Sequence, residues 1–157
     1  MRRIAFAAMA GALLCGPSQA QAQVPVAAAD YSFSPVSPGT WTYRAVPGGS
    51  EATFVDTTNI ARLVVGCGTS IRLVTISRIS AAPAATLSFW TSSATRDLPA
   101  RFDVNSKRVI TQLAARDPLL DALIFSRGRF AVSMPGSPAL VVPAGTEVAH
   151  VVEDCRG

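Results

Sequence analysis

Apolar and polar positions alternate with a period of two through most of the chain from Trp41 onward, and each alternating run stops at a turn signal. That pattern predicts short, half-buried β-strands. Thr40 to Ala45 is the first, closed by Pro47-Gly48-Gly49, and Glu51 to Thr57 returns as its hairpin partner. In the third, Ala61 to Cys67, the residues Leu63, Val65 and Cys67 share one face, and Gly66 and Gly68 beside the cysteine suggest a bend or a close backbone approach. Ile71 to Arg78, Thr86 to Ser92, Arg96 to Asp103 (interrupted by Pro99) and Lys107 to Leu113 continue the series. Phe130 to Met134, the turn Pro135-Gly136 and Leu140 to Val142 form a last hairpin.

Two stretches break the alternation. In Asp117 to Phe130, Asp117 suits an N-cap, Pro118 suits the first helical position, and Leu119, Leu120, Leu123 and Ile124 fall on one helical face. Gly128 then marks a turn before Phe130 opens a strand. Near the end, Thr146 is the expected N-cap of a second helix, whose apolar face carries Val148, Val151, Val152 and Cys155. The predicted fold is mainly β: an antiparallel β-sandwich, or alternatively a small barrel, with one short internal helix and one C-terminal helix.

The first residues are organised differently. Arg2 and Arg3 precede an apolar run, Ile4 to Leu14, and Ala20-Gln21-Ala22 fits the small-x-small cleavage rule. The expectation is a signal peptide over residues 1–22, a Pro-rich extended or flexible leader over 23–39, and a single β-rich domain over 40–157. A lipidated Cys15 is the alternative to simple cleavage. Export alters the charge balance. Loss of Arg2 and Arg3 leaves 12 of the 14 basic residues against 10 acidic ones. Lys107 is the single lysine, and there is no basic run of the kind nucleic acid or anionic membrane would require.

Cys67 and Cys155 remain after cleavage, which in an oxidising compartment is the number for one disulfide. The competing reading makes Cys67 a catalytic thiolate with His150, the one histidine, as its base. The sequence contains no nucleophile elbow, P-loop, dinucleotide fingerprint or zinc-protease motif, and too few His and Cys for an N/S metal site. Asp117 and Asp121 stand four apart, as a helix cap and a surface charge near Arg116 or Arg127, or as a carboxylate pair. An exposed Trp90 together with Tyr43 would mark a partner surface. Ser126-Arg127-Gly128-Arg129 is the most distinctive polar cluster. Its two guanidiniums could hold a carboxylate or phosphate. Equally, they could close the preceding helix or pair with Asp117, Asp121 or Asp154.

Trp41, Cys67, the stretch Phe125-Ser126-Arg127-Gly128-Arg129-Phe130 and the ending Val151-Val152-Glu153-Asp154-Cys155-Arg156 resemble the layout of small exported bacterial proteins. The chain is similar to the invasion-associated locus B group, to the type VI secretion accessory β-sandwich proteins and to exported proteins of Sphingomonas-type bacteria. The resemblance implies a disulfide-stapled periplasmic β-rich domain and carries over no catalytic residue or cofactor. The functional expectation is a non-enzymatic envelope binding or accessory module, acting on another envelope protein or on a small anionic group. Alternatives are an inhibitor of a secreted hydrolase, using the loop Pro135 to Ala139, and a cysteine-dependent enzyme built on Cys67 and His150.

Overall fold

The computed structural model describes residues 29–157; the expected signal peptide, its cleavage sites and Cys15 lie outside the described residues. The strands are β1 (Gly39–Val46), β2 (Gly49–Asp56), β3 (Ala61–Gly68), β4 (Leu73–Ile79), β5 (Thr86–Trp90), β6 (Thr95–Pro99), β7 (Arg101–Asp103), β8 (Arg108–Ala114), β9 (Arg129–Met134) and β10 (Ser137–Pro143). The helices are α1 (Pro118–Ile124) and α2 (Thr146–Arg156). One sheet runs β1-β2-β3-β4-β8-β7 and the other β10-β9-β5-β6, with every pair antiparallel. Both sheets keep free edges, so the fold is a β-sandwich and not a closed barrel.

The inner face of the six-stranded sheet is the alternating set the sequence shows. Trp41, Ala52, Phe54, Leu63, Val65, Cys67, Val74, Ile76, Val109 and Leu113 are all buried. Two covers lie over it. The four-stranded sheet covers one end of the strands, where the Trp41 ring meets Phe54 and Phe130 and its indole N–H donates to the Pro143 carbonyl at 2.8 Å. At the other end lies α2, with Val148, Val151, Val152 and Cys155 buried. Its Cys155 is joined to Cys67 across 88 residues, Cα to Cα 5.4 Å. Full burial of each large apolar side chain is worth about 1.5–3 kcal/mol, so both covers are driven by the hydrophobic effect.

Several elements differ from expectation. The segment expected as one strand from Arg96 to Asp103 is two strands in different sheets: β6 pairs with β5, and β7 pairs with β8. The chain changes sheet at Ala100, held there by a bond from its N–H to the Ala85 carbonyl. The fourth strand starts at Leu73, because Arg72 takes a left-handed backbone (φ 51°) in the preceding turn. The N-cap of α2 is Gly145, not Thr146, whose hydroxyl makes no cap bond. A Cβ at Gly145 would sit 2.6 Å from the Trp41 ring, so the close approach of indole to backbone selects glycine. Tyr43 and Trp90 lie in separate sheets and form no common surface. Tyr43 packs on α2, while Trp90 is half-buried against the edge of Tyr31.

Other expectations hold. Asp117 caps α1, accepting from the Leu119 N–H at 2.9 Å, and Pro118 opens the helix. Its carboxylate also takes both arms of the Arg96 guanidinium at 2.8 Å each. That pairing holds the Asp117 carboxyl below its ordinary range, and the cap bond adds to it. The stretch before β1 lies along the sandwich, with the Ser37 N–H donating to the Val141 carbonyl and Ser34 accepting from Arg129.

Two outcomes are expected from this architecture. Replacing both cysteines with alanine should cost about 4 kcal/mol, the chain-entropy value for a loop of this size, read from denaturant unfolding with intact and reduced wild type alongside. Asp117→Ala should cost about 2 kcal/mol, through loss of a cap and of a charged pair. Because the folded carboxyl is depressed, its contribution is fully present above the unfolded value of about 3.9 and lost as pH falls through the folded value. The gap between wild type and Asp117→Ala in unfolding experiments should therefore narrow below about pH 4.

Candidate functional site

Three places carry polar chemistry, and the structure treats them differently. The turn Ser126-Arg127-Gly128-Arg129 follows α1. The Ser126 hydroxyl donates to the Arg129 carbonyl and accepts from the Ser92 N–H, while the Arg127 N–H donates to the Ser92 hydroxyl. Gly128 supplies the left-handed residue of the turn (φ 75°). The Arg129 guanidinium donates through one nitrogen to the Ser34 carbonyl, and Arg127 is exposed to solvent. Neither arginine forms an ion pair with Asp117, Asp121 or Asp154. Asp117 pairs with Arg96, and Asp121 pairs with Arg156 at 2.8 Å. The turn thus fastens α1 and the N-terminal segment to the four-stranded sheet.

The second place is the corner under α2. Cys67 is buried and bonded, so its sulfur is no free thiolate. His150 is exposed, with its ring edge-on to Tyr43 at 5.4 Å between centroids. The Tyr43 hydroxyl donates to Asp154 at 2.8 Å. These contacts dock the helix, and they aim no general base at a nucleophile.

The third place was not singled out from the sequence. In β4 the residues Val74, Ile76 and Arg78 share the inward face, so an arginine occupies a core position, with only 8% of its surface exposed. Its guanidinium reaches across the sandwich and donates to the Val132 and Pro138 carbonyls of the four-stranded sheet. Among the described residues it has no carboxylate partner. Burial pushes its pKa below the ordinary arginine value, and the nearby Arg62 adds to the effect. Arg78 forms part of the wall of a cleft of about 610 Å³ between the sheets. Arg62, Lys107 and Ser80 supply polar lining, and Met134 and Leu140 supply apolar lining. Arg62 is neutralised by Asp56 at 3.0 Å, whereas Lys107 has no ion pair among the described residues. The legible signal was the parity of Arg78 with Val74 and Ile76 in IRLVTISR.

Arg108 offers an instructive contrast on the outer face of the same sheet. Burial lowers its pKa too, partly countered by the charge of Glu51. Each of its three nitrogens donates within the sheet, to the Ser77 hydroxyl, the Ala61 carbonyl and the Ser77 carbonyl at 2.8–2.9 Å. The shallow hollow beside it also holds the Arg44–Glu51 pair, so its charge is closer to balance. Among the described residues no cluster of His, Cys, Asp and Glu could hold a metal ion, and no helix is long and apolar enough to cross a membrane.

Comparison with protein-family models, with curated proteins and with solved structures gives no match.

Arg78→Met should change stability by no more than about 1 kcal/mol. Relief of a desolvated, carboxylate-free cation offsets the two lost bonds, and methionine fills similar volume. Chemical denaturation of the two proteins checks this; a loss several times larger would make Arg78 a structural pillar of the sandwich.

Proposed function

We propose that this chain is an exported, non-enzymatic binding or accessory module of the bacterial envelope, which acts by holding a partner or a small anionic group. The observation that carries the reading is Arg78. A buried guanidinium with no carboxylate carries a desolvation cost that its two carbonyl bonds do no more than offset, and it lines an open cleft where a ligand anion could pair with it. The disulfide fits an oxidising compartment, as does the apolar N-terminal run with its cleavage rule. The resemblance read from the sequence, to the locus B group and the type VI accessory proteins, points to the same place and role. We place the anion-binding position at the cleft around Arg78 in preference to the Arg127/Arg129 turn, because Arg78 is buried without a carboxylate while Arg127 lies in solvent.

A second reading, inhibition of a secreted hydrolase, draws on the hairpin loop Pro135 to Ala139. Pro135, Gly136 and Pro138 are exposed there, while Arg78 holds the Pro138 carbonyl in place. A rigid exposed loop is what a protease-type inhibitor presents.

Intact mass of the exported protein, with and without reduction and thiol alkylation, tests the proposal. The expected result is a chain beginning at Gln23 with no alkylatable thiol until reductant is added. A readily alkylated Cys67 would instead favour the cysteine enzyme with His150. A lipid-sized mass on Cys15 would make the protein anchored.

A further inference from the structure

We propose that the cleft at Arg78 binds a small carboxylate bearing an apolar body, of the medium-chain aliphatic or arylalkanoic type. The inference rests on the binding reading above and names the ligand chemistry. Two features of the cleft select it. The first is charge. Arg78 uses two groups of its guanidinium on the Val132 and Pro138 carbonyls, and its other N–H donors have no acceptor among the described residues. Lys107 adds a second cation to the lining, no carboxylate lines the cleft, and the third cation, Arg62, is already paired with Asp56. A single anionic head completes that set.

The second feature is the rest of the lining. Met134 and Leu140 are buried side chains that reach the cleft surface, and Ile79 and Pro138 extend the apolar wall. A hydrated inorganic ion would leave these groups facing water, whereas an alkyl or aryl body covers them. The volume, about 610 Å³, lies within the range of small-molecule sites.

The neighbouring strand edge argues against an extended peptide as occupant. β10 is an edge strand of its sheet, but Ser37 already donates to its Val141 carbonyl. Pro138 has no N–H, and its carbonyl is taken by Arg78. No uninterrupted ladder remains for an added strand to pair with.

Isothermal titration of the oxidised exported protein with sodium acetate, butyrate, hexanoate and octanoate, sodium phosphate, and 1-octanol reads the proposal directly. Octanoate should bind at one saturable site. Affinity should rise roughly two- to fourfold per added methylene from acetate upward, the value of burying a CH₂ group. Octanol should bind at least about tenfold more weakly than octanoate, because it lacks the charge. Lys107→Asn should weaken octanoate by about tenfold. Asparagine tolerates the left-handed backbone at that position (φ 52°), so the fold is kept. Arg78→Met should abolish binding, with its folding confirmed by circular dichroism, and Arg127→Gln, outside the cleft, should change nothing. Phosphate binding as tightly as octanoate, with both weakened in Lys107→Asn, would overturn the apolar-body inference and leave the anion-binding reading standing. Octanol matching octanoate would overturn the charge-selected site. Absence of saturable binding by every anion would overturn both.

Discussion

The structure depends on the covering of one long sheet face. Strands β1, β2 and β3 have eight residues each, about 27 Å of extended chain. The four-stranded sheet covers the end marked by Trp41, Phe54 and Leu63, and leaves Ala52, Val65 and Cys67 to be covered otherwise. An eleven-residue helix does this, although a helix of that length is marginal in isolation. Its stability comes from the four buried residues of its inner face and from the covalent bond to Cys67. The Arg156 side chain adds a tie to the Ala115 carbonyl and to Asp121 of α1. The disulfide thus joins the helix to the strand it must cover, at the place where the core would otherwise open to water.

Much of this was legible because alternation states which residues share a face. Leu63, Val65 and Cys67 are buried together, as are Val148, Val151, Val152 and Cys155, and both sets follow from period alone. Period does not say which sheet a strand joins. Residues from Arg96 to Asp103 read as one interrupted run, yet tertiary pairing assigns its halves to opposite layers. Nor does local sequence show long-range crowding. Thr146 is the better capping residue by intrinsic preference, but the indole of Trp41, over a hundred positions away, makes Gly145 the residue that fits.

The candidate site was harder to see for the same reason. Arg78 is the last residue of the strand expected from Ile71, and nothing local marks it as a core position beyond its parity with Val74 and Ile76. It is buried because two carbonyls from β9 and β10 meet it, and those partners lie more than fifty residues on. Conversely, the Ser126 to Arg129 cluster looks like a ligand site in one dimension. In three dimensions the Ser126 hydroxyl, the Arg127 backbone N–H and one Arg129 N–H serve to fasten the turn to Ser92, Ser34 and its own carbonyl. A charged residue in register with core positions is the more informative signal, since burying charge is costly and demands a reason. Arg108, half-buried and bonded through all three nitrogens to Ser77 and Ala61 beside the Arg44–Glu51 pair, shows a structural reason of that kind.

The span of the staple sets an order of events. A chain delivered from its N-terminus presents Cys67 well before Cys155, 88 residues later. The first four strands form a meander of neighbours that can pair while the rest is still arriving. Throughout that interval Cys67 cannot make the bond to Cys155, and a free thiol there is open to exchange with other thiols and disulfides. The native bond requires Cys155 of α2 to lie beside Cys67 of β3, Cα to Cα 5.4 Å, so it ties the last element to the early meander. A truncated or stalled chain keeps its reactive sulfur, which marks unfinished molecules chemically apart from finished ones.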